Sequence, residues 1–302
     1  MSNAIFSAAY LDPNLSLPIV NPICSTARCT WPNYGSLAIC VEVKNVTDSA
    51  NVLLLRTYFK DIIQRLKVVG NHMPTVYPVF ITTWPSPSNM FNETVGKAAI
   101  IEHWIAFSDT MMNPTDYVDI DISSFQFFAT AFFFCTKTLS CNVELGVPHI
   151  SEVSSTVNIL SSPVEFLNIQ WNERGDLFDN GTCNLGGKSM VLGGSTGLTT
   201  ETYTVDVCTG LMISDALWYM TSGWYMTTDA LWLSQHFAFA ALDTGPMSQA
   251  FGLALFGEYP NTPAIKDSAT QFDNLRHMME NVAGGMTNAL VYLPHLFLYN
   301  GT

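Results

Sequence analysis

Charge is what this sequence has least of. Charged residues make up 12% of the chain, about half the roughly 25% usual in soluble globular proteins. A folded surface must therefore rely on Ser, Thr, Asn and Gln. Cations are the scarcer sign, with 12 Lys and Arg against 25 Asp and Glu and a formal net charge of −13. That balance argues against nucleic acid as a partner, because phosphate binding needs clustered positive charge. The one basic cluster, Arg56, Lys60, Arg65 and Lys67, lies in a stretch with helical apolar spacing (Leu55, Phe59, Ile62, Ile63, Leu66) and reads as a solvated helix face. Long apolar runs are also missing. No stretch supplies the roughly 20 apolar residues of a membrane span. Residues 1–11 have neither the basic start nor the apolar length of a signal peptide.

Catalytic signatures are equally sparse. There is no phosphate-cradling loop, neither G-x-x-x-x-G-K-S/T nor G-x-G-x-x-G after a strand, and the histidines show no H-E-x-x-H spacing. No cofactor is implied. Two short matches remain. Gly193-Gly194-Ser195-Thr196-Gly197 fits G-x-S-x-G, but a nucleophile elbow needs a helix after the serine. Here Leu198 to Val205 reads as strand, and His236, His277 and His295 carry no supporting signature, so a glycine-rich turn is expected. Asp243-Thr244-Gly245 fits the aspartic-protease triplet, whose chemistry needs two carboxylates sharing a proton. No second triplet exists, and Ala238–Leu242 reads as helix.

What the chain does have is 48% hydrophobic residues, enough for a sizeable core, and seven cysteines: Cys24, Cys29, Cys40, Cys135, Cys141, Cys183 and Cys208. The C-x4-C-x10-C spacing at the start lacks the second close pair of a zinc site, so disulfides are the better reading. Connectivity does not follow from sequence. The preferred pair is Cys183 with Cys208, flanking a hairpin-like region. Cys135 with Cys141 requires a turn between them. Among the first three, Cys24 with Cys40 is expected, leaving Cys29 over. N-x-S/T sequons stand at Asn14, Asn45, Asn92, Asn180 and Asn300. Asn180 lies in a turn-like Asp-Asn-Gly-Thr stretch, and Asn45 follows the cysteine-rich segment. Cysteines beside sequons favour an oxidising compartment.

The coarse pattern is strands first and helices last, an α+β reading. Residues 1–302 read as one unit with a Cys-containing start (1–48), a mainly β part (49–208) and a mainly α part (209–302). Strand-like runs cover Leu37–Val43, Val76–Thr83, Ala98–Phe107, Tyr117–Ile122, Phe125–Thr138, Val153–Leu160 and Val164–Trp171. A first helix is expected over residues 51–69. The spacing of Phe272, Leu275, Met278, Met279, Val282, Met286 and Leu290 predicts an amphipathic helix over 267–292, capped by Asp267 or Ser268. On it, His277 and Glu280 stand three apart, as a surface pair would. Residues 211–258 are aromatic and helix-compatible. Trp218, Tyr219, Trp224, Tyr225 and Trp232 read as core packing, with sugar or sterol binding as the competing reading.

Cys24-Ser-Thr-Ala-Arg-Cys29-Thr-Trp-Pro-Asn-Tyr-Gly-Ser-Leu-Ala-Ile-Cys40, followed by Val46-Thr47, resembles the C-x4-C-T-W-P signature of the DUF3176 family of fungal membrane proteins. Phe134-Cys135-Thr136-Lys137-Thr138 is similar to its central strand, and Met286-Thr287-Asn288-Ala289-Leu290 to its closing helix. The chain departs from the family pattern at Arg28, Val43 and Val291, where an Asn, a Cys and an Arg usually stand. The resemblance implies an uncharacterised domain on the extracellular or secretory-lumen side, with membrane helices flanking it outside this chain. The expected role is non-catalytic, binding an unknown protein or surface ligand, or structural. The alternative is a hydrolase using Ser195.

Overall fold

The computed structural model describes residues 24–49, 78–83, 90–108, 125–162, 178–179, 182–183, 188–195, 200–221, 223–226, 248–257, 265 and 267–291. It is α+β, with strands N-terminal and central and most helices C-terminal. Three long strands make the frame: β1 (Arg28–Asn45), β3 (Ala99–Phe107) and β4 (Gln126–Glu144). With β2 (Pro78–Thr83), β5 (Val147–Thr156) and β11 (Gly223–Met226) they form a six-stranded antiparallel sheet, ordered β1-β4-β3-β2-β11, with β5 also on β4.

Burial explains the central position of β3 and β4. All nine residues of β3 are buried, and β4 holds Phe127, Phe128, Phe132 and Phe134 at no more than 1% exposure. Strands covered on both faces read as continuous apolar runs rather than alternating ones, as Ala-Ile-Ile-Glu-His-Trp-Ile-Ala-Phe does here. Strand β4 turns into β5 through Leu145 and Gly146, both at positive φ (52° and 78°), the geometry of a two-residue hairpin turn.

One face of the sheet carries Ile39, Ile101, Ile105, Phe107, Phe128, Phe132 and Phe134 into a single apolar core. Two helices are packed into it, α2 (Val207–Thr221) and α4 (Ser268–Val291). So is a smaller sheet, ordered β10-β9-β6, of β6 (Ile159–Ser161), β9 (Ser189–Ser195) and β10 (Thr200–Asp206). The short pair β7 (Phe178–Asp179) and β8 (Thr182–Cys183) completes the strands. Helix α1 (Glu93–Ala98) precedes β3, and α3 (Ser248–Phe256) adds Phe251 and Leu255 to the core. Helix α4 is the one the periodicity predicts. Asp267 caps it, accepting from Thr270 N at 2.9 Å, and its predicted apolar positions Leu275, Met278, Met279, Val282, Met286 and Leu290 are all buried.

Several expectations are corrected. Strand β4 runs straight through positions 135 to 141, so no turn brings Cys135 to Cys141; six strand steps separate them by about 20 Å. Cys135 instead bonds Cys40 across the β1–β4 pair, with Cα atoms 5.8 Å apart. Cys24 bonds Cys29, not Cys40, at a Cα separation of 6.0 Å. The reason is length: β1 carries Cys40 roughly 36 Å from Cys29 along an extended strand. Among the described cysteines, Cys141 is the free, buried thiol. Cys208 is disulfide-bonded, while the side chain of Cys183 lies outside the described residues.

The predicted strand over 153–160 is split between β5 and β6. The helix-compatible stretch contains β11, because Gly223–Met226 pairs with β2. Trp218 and Tyr219 are exposed, at 38% and 67%, rather than in the core. The helix over 51–69 with its basic cluster, the strands over 117–122 and 164–171, Trp232, the side chains of Trp224 and Tyr225, and Asp243 all lie outside the described residues.

Candidate functional site

The G-x-S-x-G segment is the first place to look for chemistry. Ser195 ends β9 and pairs with Thr200, the first residue of β10, so strand leads to strand and not to helix. The serine is exposed. Its backbone carbonyl accepts from Thr138 Oγ1 at 2.9 Å, and the Gly193 carbonyl lies 3.3 Å from Thr136 Oγ1. The glycines thus serve packing. A Cβ on Gly194 would press on the Tyr203 ring, and one on Gly193 would overlap the Asn158 amide. A nucleophile elbow holds its serine on a strained strand-to-helix turn, and this hairpin is not one. Neither His236 nor His295 lies among the described residues, and His277 sits on α4.

Among the described residues His103 is the one buried histidine, and nothing around it in the sequence forms a motif. It is fully buried, and Thr221 at the end of α2 meets its Nε2 at 2.6 Å. The Thr221 hydroxyl donates to the Leu217 carbonyl at 2.6 Å, so Nε2 carries the proton and donates in turn. Among the described residues Nδ1 has no partner, nor does the hydroxyl of Thr130, its register mate on β4. Burial pushes the His103 pKa down to about 3, so the ring is neutral. Phe132 packs edge-on at 6.0 Å. A histidine sealed in this way lacks the solvent or substrate access that acid–base catalysis requires.

The opening of consequence lies along β1 and β4, beside α4. A cavity of about 530 Å³ is walled there by Cys40 and Val41 of β1, Phe133, Cys135 and Lys137 of β4, and Glu152 and Ser155 of β5, with Glu280 and Ala283 of α4 at its rim. A volume of this size suits a small organic molecule or a few side chains. Its lining includes the Cys40–Cys135 disulfide. Lys137 and Glu152 neutralise one another at 2.7 Å. Glu280 is exposed and forms no ion pair with His277 or any other cation among the described residues. The uncompensated charge of the cavity is therefore one carboxylate.

The sequons at Asn45 and Asn92 are both exposed. Asn45 Oδ1 accepts from Thr47 N at 3.1 Å, and Asn92 Oδ1 caps α1 by accepting from Val95 N at 2.8 Å. In each case the oxygen is engaged and the amide nitrogen, the atom a glycan would modify, points elsewhere. Asn14, Asn180 and Asn300 lie outside the described residues. Among the described residues no cluster of His, Cys, Asp and Glu could hold a metal ion, and no helix is long and apolar enough to cross a membrane. Comparison with known protein families, with characterised proteins and with solved structures finds no match.

Proposed function

We propose that this chain is the non-cytosolic domain of a fungal membrane protein similar to the DUF3176 family, and that it binds a partner or ligand instead of catalysing a reaction. The observation that carries the reading is the cysteine chemistry. Cys24–Cys29 and Cys40–Cys135 are closed, and the one described free thiol, Cys141, is buried. Such cross-links form and persist in oxidising compartments, extracellular or lumenal. Exposed sequons at Asn45 and Asn92 and a charge-poor composition agree with that side of a membrane.

The resemblance to the fungal family supplies the membrane attachment, through helices outside this chain. The non-catalytic part rests on the geometry of Ser195 and His103 and on a cavity whose wall holds a neutralised ion pair and a disulfide but no nucleophile–base pair.

The test is secretion of the chain from a eukaryotic cell, followed by assay against ester and peptide substrates for wild type and Ser195→Ala. We expect a secreted, disulfide-bonded product with no hydrolysis above background in either. Turnover lost on Ser195→Ala would establish the hydrolase alternative instead.

A further inference from the structure

Among the described residues the β1 edge of the main sheet has no strand beyond it, and its outward groups can be read from register. There β1 pairs with β4 alone, and the pairing runs without irregularity from Tyr34 to Asn45. In an antiparallel ladder both backbone groups of a residue point the same way, alternately toward and away from the neighbour. Ile39 fixes the phase. Its N–H leaves β4 and donates to Thr287 Oγ1 of α4 at 2.9 Å, and its carbonyl lies 3.3 Å from the same oxygen. The outward residues are therefore Leu37, Ile39, Val41 and Val43. Thr287 plugs the edge at Ile39. Among the described residues nothing pairs with the outward N–H and C=O of Val41 and Val43, which are half-buried.

The cavity adjoins this stretch. Val41 lines it, and so does Glu280, about two turns before Thr287 on the same helix.

We propose that the β1 edge at Val41–Val43 takes an extended peptide segment of a partner by strand addition, with a Lys or Arg of that segment seated against Glu280. Unpaired outward N–H and C=O groups call for an extended backbone, which satisfies them as a new strand. The unpaired carboxylate calls for a cation. A second copy of the chain is the poorer occupant, since each copy carries a net charge of −13 and the two would repel. The inference rests on the partner-binding reading above and names where and what it binds.

The test uses the full disulfide-bonded chain and three capped hexapeptides: Thr-Val-Lys-Val-Thr-Val, the same with Glu replacing Lys, and the Lys peptide N-methylated at its valines. We expect the Lys peptide to bind saturably and about tenfold more tightly than the Glu peptide, and the N-methylated one not to bind. Glu280→Gln should erase the preference for Lys over Glu. Val41→Pro removes the outward donor while leaving the ladder to β4, so it should weaken the Lys peptide about tenfold.

If that variant fails to fold, amide exchange on the wild type decides. Val41 and Val43 should exchange fast in the free chain and slow with the Lys peptide, while Cys40 and Glu42 stay protected throughout. The proposal is overturned by no saturable binding, by equal binding of Lys and Glu peptides, or by Val41 and Val43 already protected without peptide. Protection rising with protein concentration alone would assign the edge to a second copy and also overturn it. Thiol and glycan status are read on the same sample. Reduced cysteines would sink the compartment reading, whereas intact disulfides with no peptide binding would sink this inference alone.

Discussion

Cys141 shows how a single side chain is silenced by its surroundings. It lies on β4 opposite Trp31 of β1 and Ile150 of β5. Burial pushes its thiol above the ordinary range, which keeps it protonated and poorly nucleophilic. The same burial raises Tyr34, with the nearby Cys141 adding to the effect. Alkylation of the native protein should therefore leave Cys141 unmodified. Denaturation without reduction should expose it, while Cys24, Cys29, Cys40 and Cys135 stay blocked. Mass spectrometry of the peptides reads both states. His103 makes a pH prediction. Its folded pKa, about 3, lies below the ordinary 6.5. Below pH 6.5 the unfolded chain takes up a proton that the folded chain refuses, so stability present at neutral pH is lost as the pH falls from 6.5 through 3. The slope for one such group is about 1.4 kcal/mol per pH unit. Denaturant titrations of wild type and His103→Leu across that range should differ by one proton in slope, with the variant flatter. Neither residue was legible in the sequence, because burial and a partner far along the chain decide what each does.

At the scale of the element, the disulfide and the strand pair act together. Cys40–Cys135 closes a separation of 95 residues, and restricting the unfolded chain over such a loop is worth about 4–5 kcal/mol on the loop-entropy account. Cys40→Ala with Cys135→Ala should lower the denaturation midpoint substantially while keeping the β1–β4 register. The pair Cys24–Cys29 spans only 5 residues and should matter far less. Thr287→Val removes the acceptor for Ile39 N and should cost about 1–3 kcal/mol, since a buried donor is left unmet. The long elements are the ones the sequence announced. The periodicity over 267–292 gives α4 within a residue or two, and the Phe-rich run gives β4. Pairing was not announced. Cys40 and Cys135 meet because β1 lies beside β4, and Gly193 and Gly194 matter because β9 crosses Thr136 and Thr138. Both facts depend on which strand neighbours which, and no local pattern encodes that.

For the whole molecule, the charge-poor composition, the closed cysteines and the exposed sequons form one account of where the chain matures. The sequons at Asn45 and Asn92 can be abolished without disturbing the fold by Asn45→Asp and Asn92→Asp, because each keeps the oxygen that accepts from Thr47 N or Val95 N. The secreted double variant should lose mass by the two glycans and change little in thermal midpoint. The most direct measurement is a non-reducing peptide map of the chain secreted from a eukaryotic cell. It should show Cys24 linked to Cys29, Cys40 linked to Cys135, Cys141 as a thiol, and sugar on Asn45 and Asn92. Free thiols at Cys40 and Cys135 with bare asparagines at both sequons would contradict the account.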